Sequence, residues 1–295
     1  MLYRTLPEFD LVEPTTLQDA AAALASRGRT AIMAGGISLL DDMKRGGADP
    51  PDTVVTLRHI PGLRYIEGDR VGGLKIGPLA TIRDVELSST VRDGFPILHQ
   101  AVSKIRSVQV KTMGTIIGNV CVGTPASDVL TALIALDARL RLIGRNSGSP
   151  LPAISLCKGP KLTHLEPTDI VEHIEIPGVQ GPSYGAYINL TRTLPDIAKL
   201  TVAVNLFMED GVCADARIVV GAVAPIIFRA SAAEDSLRGR GLDHETIDRA
   251  AVAARDDPTT TPIDDIRSTA SYRRGMVGVL VRRALEAAAT KAAAA

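Results

Sequence analysis

The sequence has no tryptophan, and five tyrosines with four phenylalanines bring the aromatic share of its 295 residues to only 3%. Single-stranded nucleic acid is held largely by stacking bases on aromatic rings, so that function is disfavoured and the core has to be aliphatic. Net charge is missing as well. Thirty-three Lys and Arg balance thirty-three Asp and Glu, which leaves no overall basic excess for a phosphate backbone. The three cysteines, Cys121, Cys157 and Cys213, stand far apart with no Cys-x-x-Cys pair. That spacing argues against a disulfide framework, a zinc knuckle or an iron–sulfur cluster held by this chain alone. No stretch approaches the roughly eighteen apolar residues of a membrane span, and Met1 to Pro7 lacks the apolar core of a signal peptide. A soluble, cytoplasmic chain with no nucleic-acid partner and no membrane span is therefore expected.

The common catalytic sets are also absent. The histidines His59, His99, His164, His173 and His244 are scattered, with no His-Glu-x-x-His pair, and no Gly-x-Ser-x-Gly elbow accompanies them. Neither a P-loop nor a Gly-x-Gly-x-x-Gly dinucleotide fingerprint occurs. No catalytic residue and no metal ligand is assigned from the residues.

What is present is a chain long enough for one large domain or two modest ones. The first part alternates short β-branched runs with helical patterns. A helix is expected after Pro14-Thr15-Thr16 to about Ser26, and a strand over Thr30–Met33. A helical turn follows over Leu39–Lys44, closed by Gly46-Gly47. Strands are expected at Thr53–Leu57, Leu63–Glu67, Leu74–Gly77 and Arg139–Ile143. Thr81 and Asp84 supply a capping box for a helix over Ile82–Ser88, and Ser127 or Asp128 caps a helix to Leu136. Turn residues cluster from Ile176-Pro177-Gly178 to Gly181-Pro182, which places a domain boundary there. Beyond it, Tyr184–Leu190, Leu200–Met208 and Val212–Val220 read as a meander, followed by helices and an Ala-rich tail whose last residues, Ala292 to Ala295, are expected to fray.

Two glycine loops stand out. Gly35-Gly36 lies after an apolar strand and before a short helix, where missing Cβ atoms let backbone N–H groups approach a phosphate. Gly114-Thr115-Ile116-Ile117-Gly118-Asn119 offers a second bend, with the Thr115 hydroxyl and Asn119 amide as further donors. Each loop alone is more readily a set of turn glycines, the commoner use of glycine; together they can cradle a diphosphate. Asp128 is either a helix N-cap or an acceptor for cofactor hydroxyls.

These residues carry a family resemblance. Ala34-Gly35-Gly36-Ile37-Ser38-Leu39-Leu40 resembles the Ala-Gly-Gly-Thr-Asp-Leu-Leu segment in the FAD-binding medium subunits of the xanthine dehydrogenase and carbon monoxide dehydrogenase family of molybdenum hydroxylases. Gly114 to Asn119 resembles their Gly-Thr-Ile-Gly-Gly-Asn loop, and Thr124-Pro125-Ala126-Ser127-Asp128-Val129-Leu130 their Ser-Pro-Ala-Ser-Asp-Leu-Leu run. The likeness continues through Ile174-Glu175-Ile176-Pro177, Gly221-Ala222-Val223-Ala224, Arg229-Ala230 with Glu234, and Ser271-Tyr272-Arg273-Arg274, over nearly the whole chain.

The resemblance implies an α+β fold: a two-lobed FAD-binding domain of the PCMH type over residues 1–176, split near 57, then a smaller C-terminal domain over 177–295 with a three-stranded antiparallel sheet and helices. It implies FAD held by Met33, Ala34, Gly35, Gly36, Ile37, Ser38 and Leu39, and by Gly114, Thr115, Ile116, Ile117, Gly118 and Asn119. Asp128 matches a cofactor-contacting position, Ile105 and Leu165 fall where apolar residues line the cofactor, and Tyr187 lies on the segment that approaches the flavin. The implied role is an oxidoreductase subunit in a heterotrimer, two of which pair as a dimer of heterotrimers. A small subunit with two 2Fe-2S clusters passes electrons through FAD to an external acceptor. A large molybdopterin subunit hydroxylates the substrate, with an aromatic N-heterocycle preferred over an aldehyde or carbon monoxide.

Departures from the family pattern carry their own expectations. Ile117 puts a β-branched side chain where the family often has none, so a backbone with φ > 0 there would be costly, and a difference in either the local backbone or the diphosphate approach is expected. Ile37 and Ser38 replace Thr-Asp, and Asn189 is the nearest polar group to a common Lys. Three dispersed cysteines exclude the Cys-rich insertion of hydroxybenzoyl-CoA reductases. Two further readings are a self-contained FAD reductase resembling UDP-N-acetylenolpyruvoylglucosamine reductase, and a structural subunit that has lost FAD.

Overall fold

Three short strands and two helices open the chain: β1 (Asp10–Val12), α1 (Leu17–Ser26), β2 (Thr30–Met33), α2 (Ile37–Arg45) and β3 (Thr53–Thr56). In this computed structural model the strands pair in parallel in the order β1-β3-β2. The structure describes residues 5–26, 28–46, 49–144, 148–193 and 196–294; Met1 to Arg4, Gly47 and Ala295, which entered the sequence reading, lie outside them. Helix α1 starts where the Asp19 N–H donates to Thr16 Oγ1 at 3.0 Å. It buries Leu17, Ala20 and Leu24 against Val55, Leu57 and Ile60, as their three- and four-residue spacing requires.

A second lobe follows. Its elements are β4 (Ile66–Asp69), β5 (Gly73–Ile76), α3 (Ile82–Leu87), α4 (Ser89–Gly94), α5 (Pro96–Lys104), α6 (Val108–Met113), α7 (Ile116–Cys121), α8 (Asp128–Ala135), β6 (Arg139–Ile143), β7 (Leu151–Pro152), β8 (Cys157–Gly159), β9 (Leu162–Thr163) and β10 (Ile170–Ile176). Five of the strands form an antiparallel sheet, β4-β5-β10-β6-β7. The capping box at α3 is complete: Asp84 N–H donates to Thr81 Oγ1 at 3.0 Å, and Thr81 N–H to Asp84 Oδ2 at 2.9 Å. Ile170 of β10 joins the small core of the first lobe, so the two lobes share side chains beside the slot they enclose.

The last third contains β11 (Ser183–Leu190), β12 (Leu200–Glu209), β13 (Val212–Gly221), β14 (Phe228–Arg229), α9 (Ser231–Leu237), α10 (His244–Arg255) and α11 (Ala270–Ala293). The expected three-stranded sheet has four strands in the order β11-β12-β13-β14. The fourth, Phe228–Arg229, pairs with Val219 and Val220, and two residues are too few to show an alternation in the sequence. Asp210 (φ 48°) and Gly211 (φ 80°) form the tight turn between β12 and β13, with positive φ at both positions as hairpin turns favour.

This sheet is covered on both faces. Tyr187, Ala203 and Val219 point into the core of the second lobe, while Ala186, Val202, Val204 and Val220 pack toward the C-terminal helices, with Val277 and Val281 among their neighbours. Burial on both faces explains why β12 is an almost unbroken apolar run. Among the described residues, no helix is long and apolar enough to cross a membrane.

One buried carboxylate fastens the added strand. Glu234, 2% exposed, accepts from Ile218 N–H at 2.8 Å and from both Nε and Nη2 of Arg229 at 2.8 Å. Glu234→Ala strands the Arg229 guanidinium and a buried backbone donor. We expect it to cost about 3 kcal/mol, read as a lower urea midpoint, with wild-type stability counting against this role.

Candidate functional site

A slot with a cavity volume of about 280 Å³ lies between the first parallel sheet and the helices of the second lobe. Strand β2 runs into one wall, Met33 to Leu39. The Gly36 backbone at φ 73° turns the chain into α2, a left-handed conformation that glycine alone adopts cheaply. No side chain caps α2, so first-turn N–H groups remain available for an anion. The opposite wall is Gly114 to Asn119. It is bolted to the lobe behind it by Ile82 N–H to Gly114 O at 2.9 Å and Ile116 N–H to Ala80 O at 3.0 Å.

The two walls meet through backbone. A Cβ built on Gly35 would stand 1.9 Å from the Met113 carbonyl oxygen, well inside any permitted contact. Gly35 is therefore needed for the two straps to approach each other at all, before any ligand is considered. Within the second strap, Gly118 N–H donates to Thr115 Oγ1 at 3.0 Å, which caps α7.

Met33, Ala34, Gly35, Gly36, Ile37, Ser38 and Leu39 all line the cavity, as do Gly114, Thr115, Ile117, Gly118, Asn119 and Leu165. Ile116 points the other way, fully buried in the main core, and Ile105 packs against that same core at the end of α5. Asp128 and Tyr187 lie off the cavity and bind each other: the Tyr187 hydroxyl donates to Asp128 Oδ1 at 2.5 Å, and Asn189 Nδ2 donates to the same oxygen at 3.0 Å. Ser127, not Asp128, is the N-cap of α8. Leu57, Pro78, Ile82, Val110 and Val171 also line the slot. Nothing in the sequence separates these aliphatic residues from ordinary core, and only the approach of separate elements turns them into a wall.

Ile117 sits in α7, 6% exposed, and is absent from the described residues with positive φ. The strap after Thr115 is helical, so a β-branched side chain fits with no left-handed strain.

Electrostatics complete the description. Burial, reinforced by the Cys157 thiol, pushes the Cys121 thiol up to about 12, so this cavity-lining cysteine stays protonated and unreactive at neutral pH. Burial also raises the Asp128 carboxyl above its ordinary value, against the lowering effect of the Tyr187 and Asn189 hydrogen bonds. The Tyr187 hydroxyl, buried and facing that carboxylate, is pushed well above its usual range and remains a donor. Among the described residues, no group of three or more His, Cys, Asp or Glu could hold a metal ion.

A slot walled by backbone N–H groups and aliphatic side chains, with glycine at the closest approach, fits a dinucleotide carrying a diphosphate and a flat apolar ring system. Comparison with known families agrees. Residues 7–179 match the FAD-binding domain in molybdopterin dehydrogenase. The chain belongs to this FAD-binding flavoprotein family. Residues 185–288 match the CO dehydrogenase flavoprotein C-terminal domain. The chain is 34% identical over 292 residues to the carbon monoxide dehydrogenase medium chain of Afipia carboxidovorans, covering 96% of this chain and 98% of that one. It is 29% identical to the glyceraldehyde dehydrogenase medium chain of Sulfolobus acidocaldarius, with 95% and 98% covered. Among solved structures, carbon monoxide dehydrogenase from Hydrogenophaga pseudoflava superposes with a TM-score of 0.91 at 32% identity, covering 97% of this chain and 98% of that chain. Quinoline 2-oxidoreductase from Pseudomonas putida 86 gives 0.90 at 26%, with 98% and 99% covered.

The flavoprotein's straps yield two predictions. Gly35→Ala must push the straps apart, and Gly36→Val forces a β-branched residue into left-handed backbone at roughly 1–2 kcal/mol. Each is expected to weaken FAD retention by about tenfold or more, equivalent to about 1.4 kcal/mol; the check is flavin absorbance per folded chain. The second prediction concerns pH. Because folding raises the Asp128 value, its stabilising contribution is full below the unfolded-state value and is lost as pH rises through the folded one. Asp128→Asn keeps an acceptor for Tyr187, so its stability relative to wild type should be better at pH 7 than at pH 4. Urea unfolding at both values checks the sign.

Proposed function

We propose that this flavoprotein is the FAD-carrying medium subunit of a heterotrimeric molybdenum hydroxylase, built as an FAD-binding domain over 1–176 and a C-terminal domain over 177–295. Its partners are a small subunit with 2Fe-2S clusters and a large molybdopterin subunit that hydroxylates the substrate. The complex assembles as a dimer of heterotrimers in the cytoplasm and hands electrons to an external acceptor. The observation that carries this reading is the backbone contact of the two glycine straps at Gly35 around an aliphatic slot.

FAD, when bound, supplies the redox chemistry that the side chains lack. The chain's own residues bind, orient and exclude. Gly35 and Gly36 bring backbone donors close to the diphosphate, with the first turn of α2 presenting N–H groups. Gly114, Thr115, Gly118 and Asn119 form the facing half of the cradle, with Ile116 and Ile105 bracing it from the core side. Met33, Ala34, Leu39, Ile117 and Leu165 provide the dry walls, with the Ile37 side chain and the Ser38 hydroxyl at the rim. Tyr187 and Asp128 hold β11 against α8 through their hydrogen bond, and would brace the segment that meets the flavin. The sequence has no histidine or cysteine motif for covalent attachment, and burial keeps the cavity-lining Cys121 thiol protonated; both support noncovalent FAD.

The relatives act on carbon monoxide, glyceraldehyde and quinoline by their names. That range at similar likeness supports a substrate choice made in the large subunit, and for this complex we retain an aromatic N-heterocycle as the preferred class. The reading is tested by purifying the chain with and without its partner subunits. A flavin spectrum that bleaches on substrate addition to the complex, with the flavin released on denaturation, is expected. A preparation that stays colourless after FAD reconstitution and assembly would overturn it.

A further inference from the structure

The sequence pattern offers Ser127 or Asp128 as a cap, and Ser127 caps α8: Leu130 N–H donates to its Oγ at 3.1 Å. The same oxygen lies 2.9 Å from Asn119 Oδ1, eight residues earlier, on the wall of the cofactor slot. Ser127 is 4% exposed. Its hydroxyl has one proton to give, and among the described residues Asn119 Oδ1 is the acceptor that takes it. A buried hydroxyl without an acceptor is costly, so this bond fixes the Asn119 amide with its oxygen toward Ser127. The Nδ2 group then faces away from Ser127, and among the described residues it has no protein acceptor.

We propose that Ser127 is a positioning residue for FAD binding: its hydroxyl locks the Asn119 side chain so that the slot meets an anionic diphosphate with an N–H donor and never with the amide oxygen. This rests on the FAD-site reading above. An unlocked asparagine places donor or acceptor toward the slot with similar ease, and the acceptor orientation repels a phosphate oxygen. The lock is itself held firmly. Thr131 Oγ1 donates to Ser127 O at 2.8 Å and lies 2.9 Å from Thr201 Oγ1 of the C-terminal sheet, while Ala222 N–H donates to Pro125 O at 2.8 Å. The cap segment is thereby tied to a sheet buried on both faces, and the orientation of one amide in the slot depends on that packing.

The test is a double-mutant cycle in the full chain, titrating FAD into deflavinated protein by fluorescence quenching and following thermal unfolding in parallel. Ser127→Ala should weaken FAD binding about tenfold, and Ser127→Thr should restore most of it. In an Asn119→Ala background, Ser127→Ala should leave FAD affinity unchanged while still lowering the unfolding temperature through the lost cap. Asn119→Asp, whose outward oxygen repels the diphosphate, should bind more weakly than Asn119→Ala. If Ser127→Ala weakens FAD equally in both backgrounds, its role is only structural and the proposal fails. If wild-type protein takes up no FAD at all, the site reading itself fails, and the two outcomes are distinct.

Discussion

The contact between the Gly35 α-carbon and the Met113 carbonyl sets the geometry on which the rest of the site depends. A strap leaving a parallel sheet and a strap leaving a helix are brought to a separation that no Cβ permits. Everything that lines the slot follows from that approach: the turn at Gly36, the uncapped first turn of α2, and the second strap pinned to Ala80 and Ile82. Because the constraint is steric and involves backbone on both sides, no rearrangement of side chains can relieve it.

Much of this was legible in the residues, and what was not has physical reasons. The strands Thr30–Met33 and Arg139–Ile143 and the capping box at Thr81 and Asp84 are local signals, carried by β-branched or apolar runs and by side chains within one turn. The helices over Ser89–Gly94, Pro96–Lys104 and Val108–Met113 were missed because each is short, and short helices carry too few turns for a periodicity to emerge. Strand Ile170–Ile176 was hidden by Glu172, His173 and Glu175 within its run. The segment Ile116–Cys121 read as a loop because Gly118 and Asn119 are poor helix formers, and Thr115 supplies the cap that overrides them.

Within the site, the strap residues were legible as a set, while their division of labour was not. Ile116 and Ile117 are adjacent and chemically identical, yet one faces the core and the other also meets the slot. Asp128 and Tyr187 were readable as separate candidates, but their mutual hydrogen bond spans 59 positions and has no local signature. The same holds for Asn119 and Ser127, each recognisable as a motif member and linked only once α7 and α8 fold against each other.

The close approach of the two glycine straps bears on how this protein can be modified. Two positions whose backbone forms the slot are closed to engineering: Gly35, where a Cβ collides with the Met113 carbonyl, and Gly36, whose left-handed backbone strains any side chain. Ile37 and Ser38 are different: both border the cavity and are solvent-exposed. Variation in redox tuning or in contacts at the slot's rim is therefore confined to a narrow margin around an immovable frame, and a library aimed at altering the flavin's surroundings belongs at those two side chains.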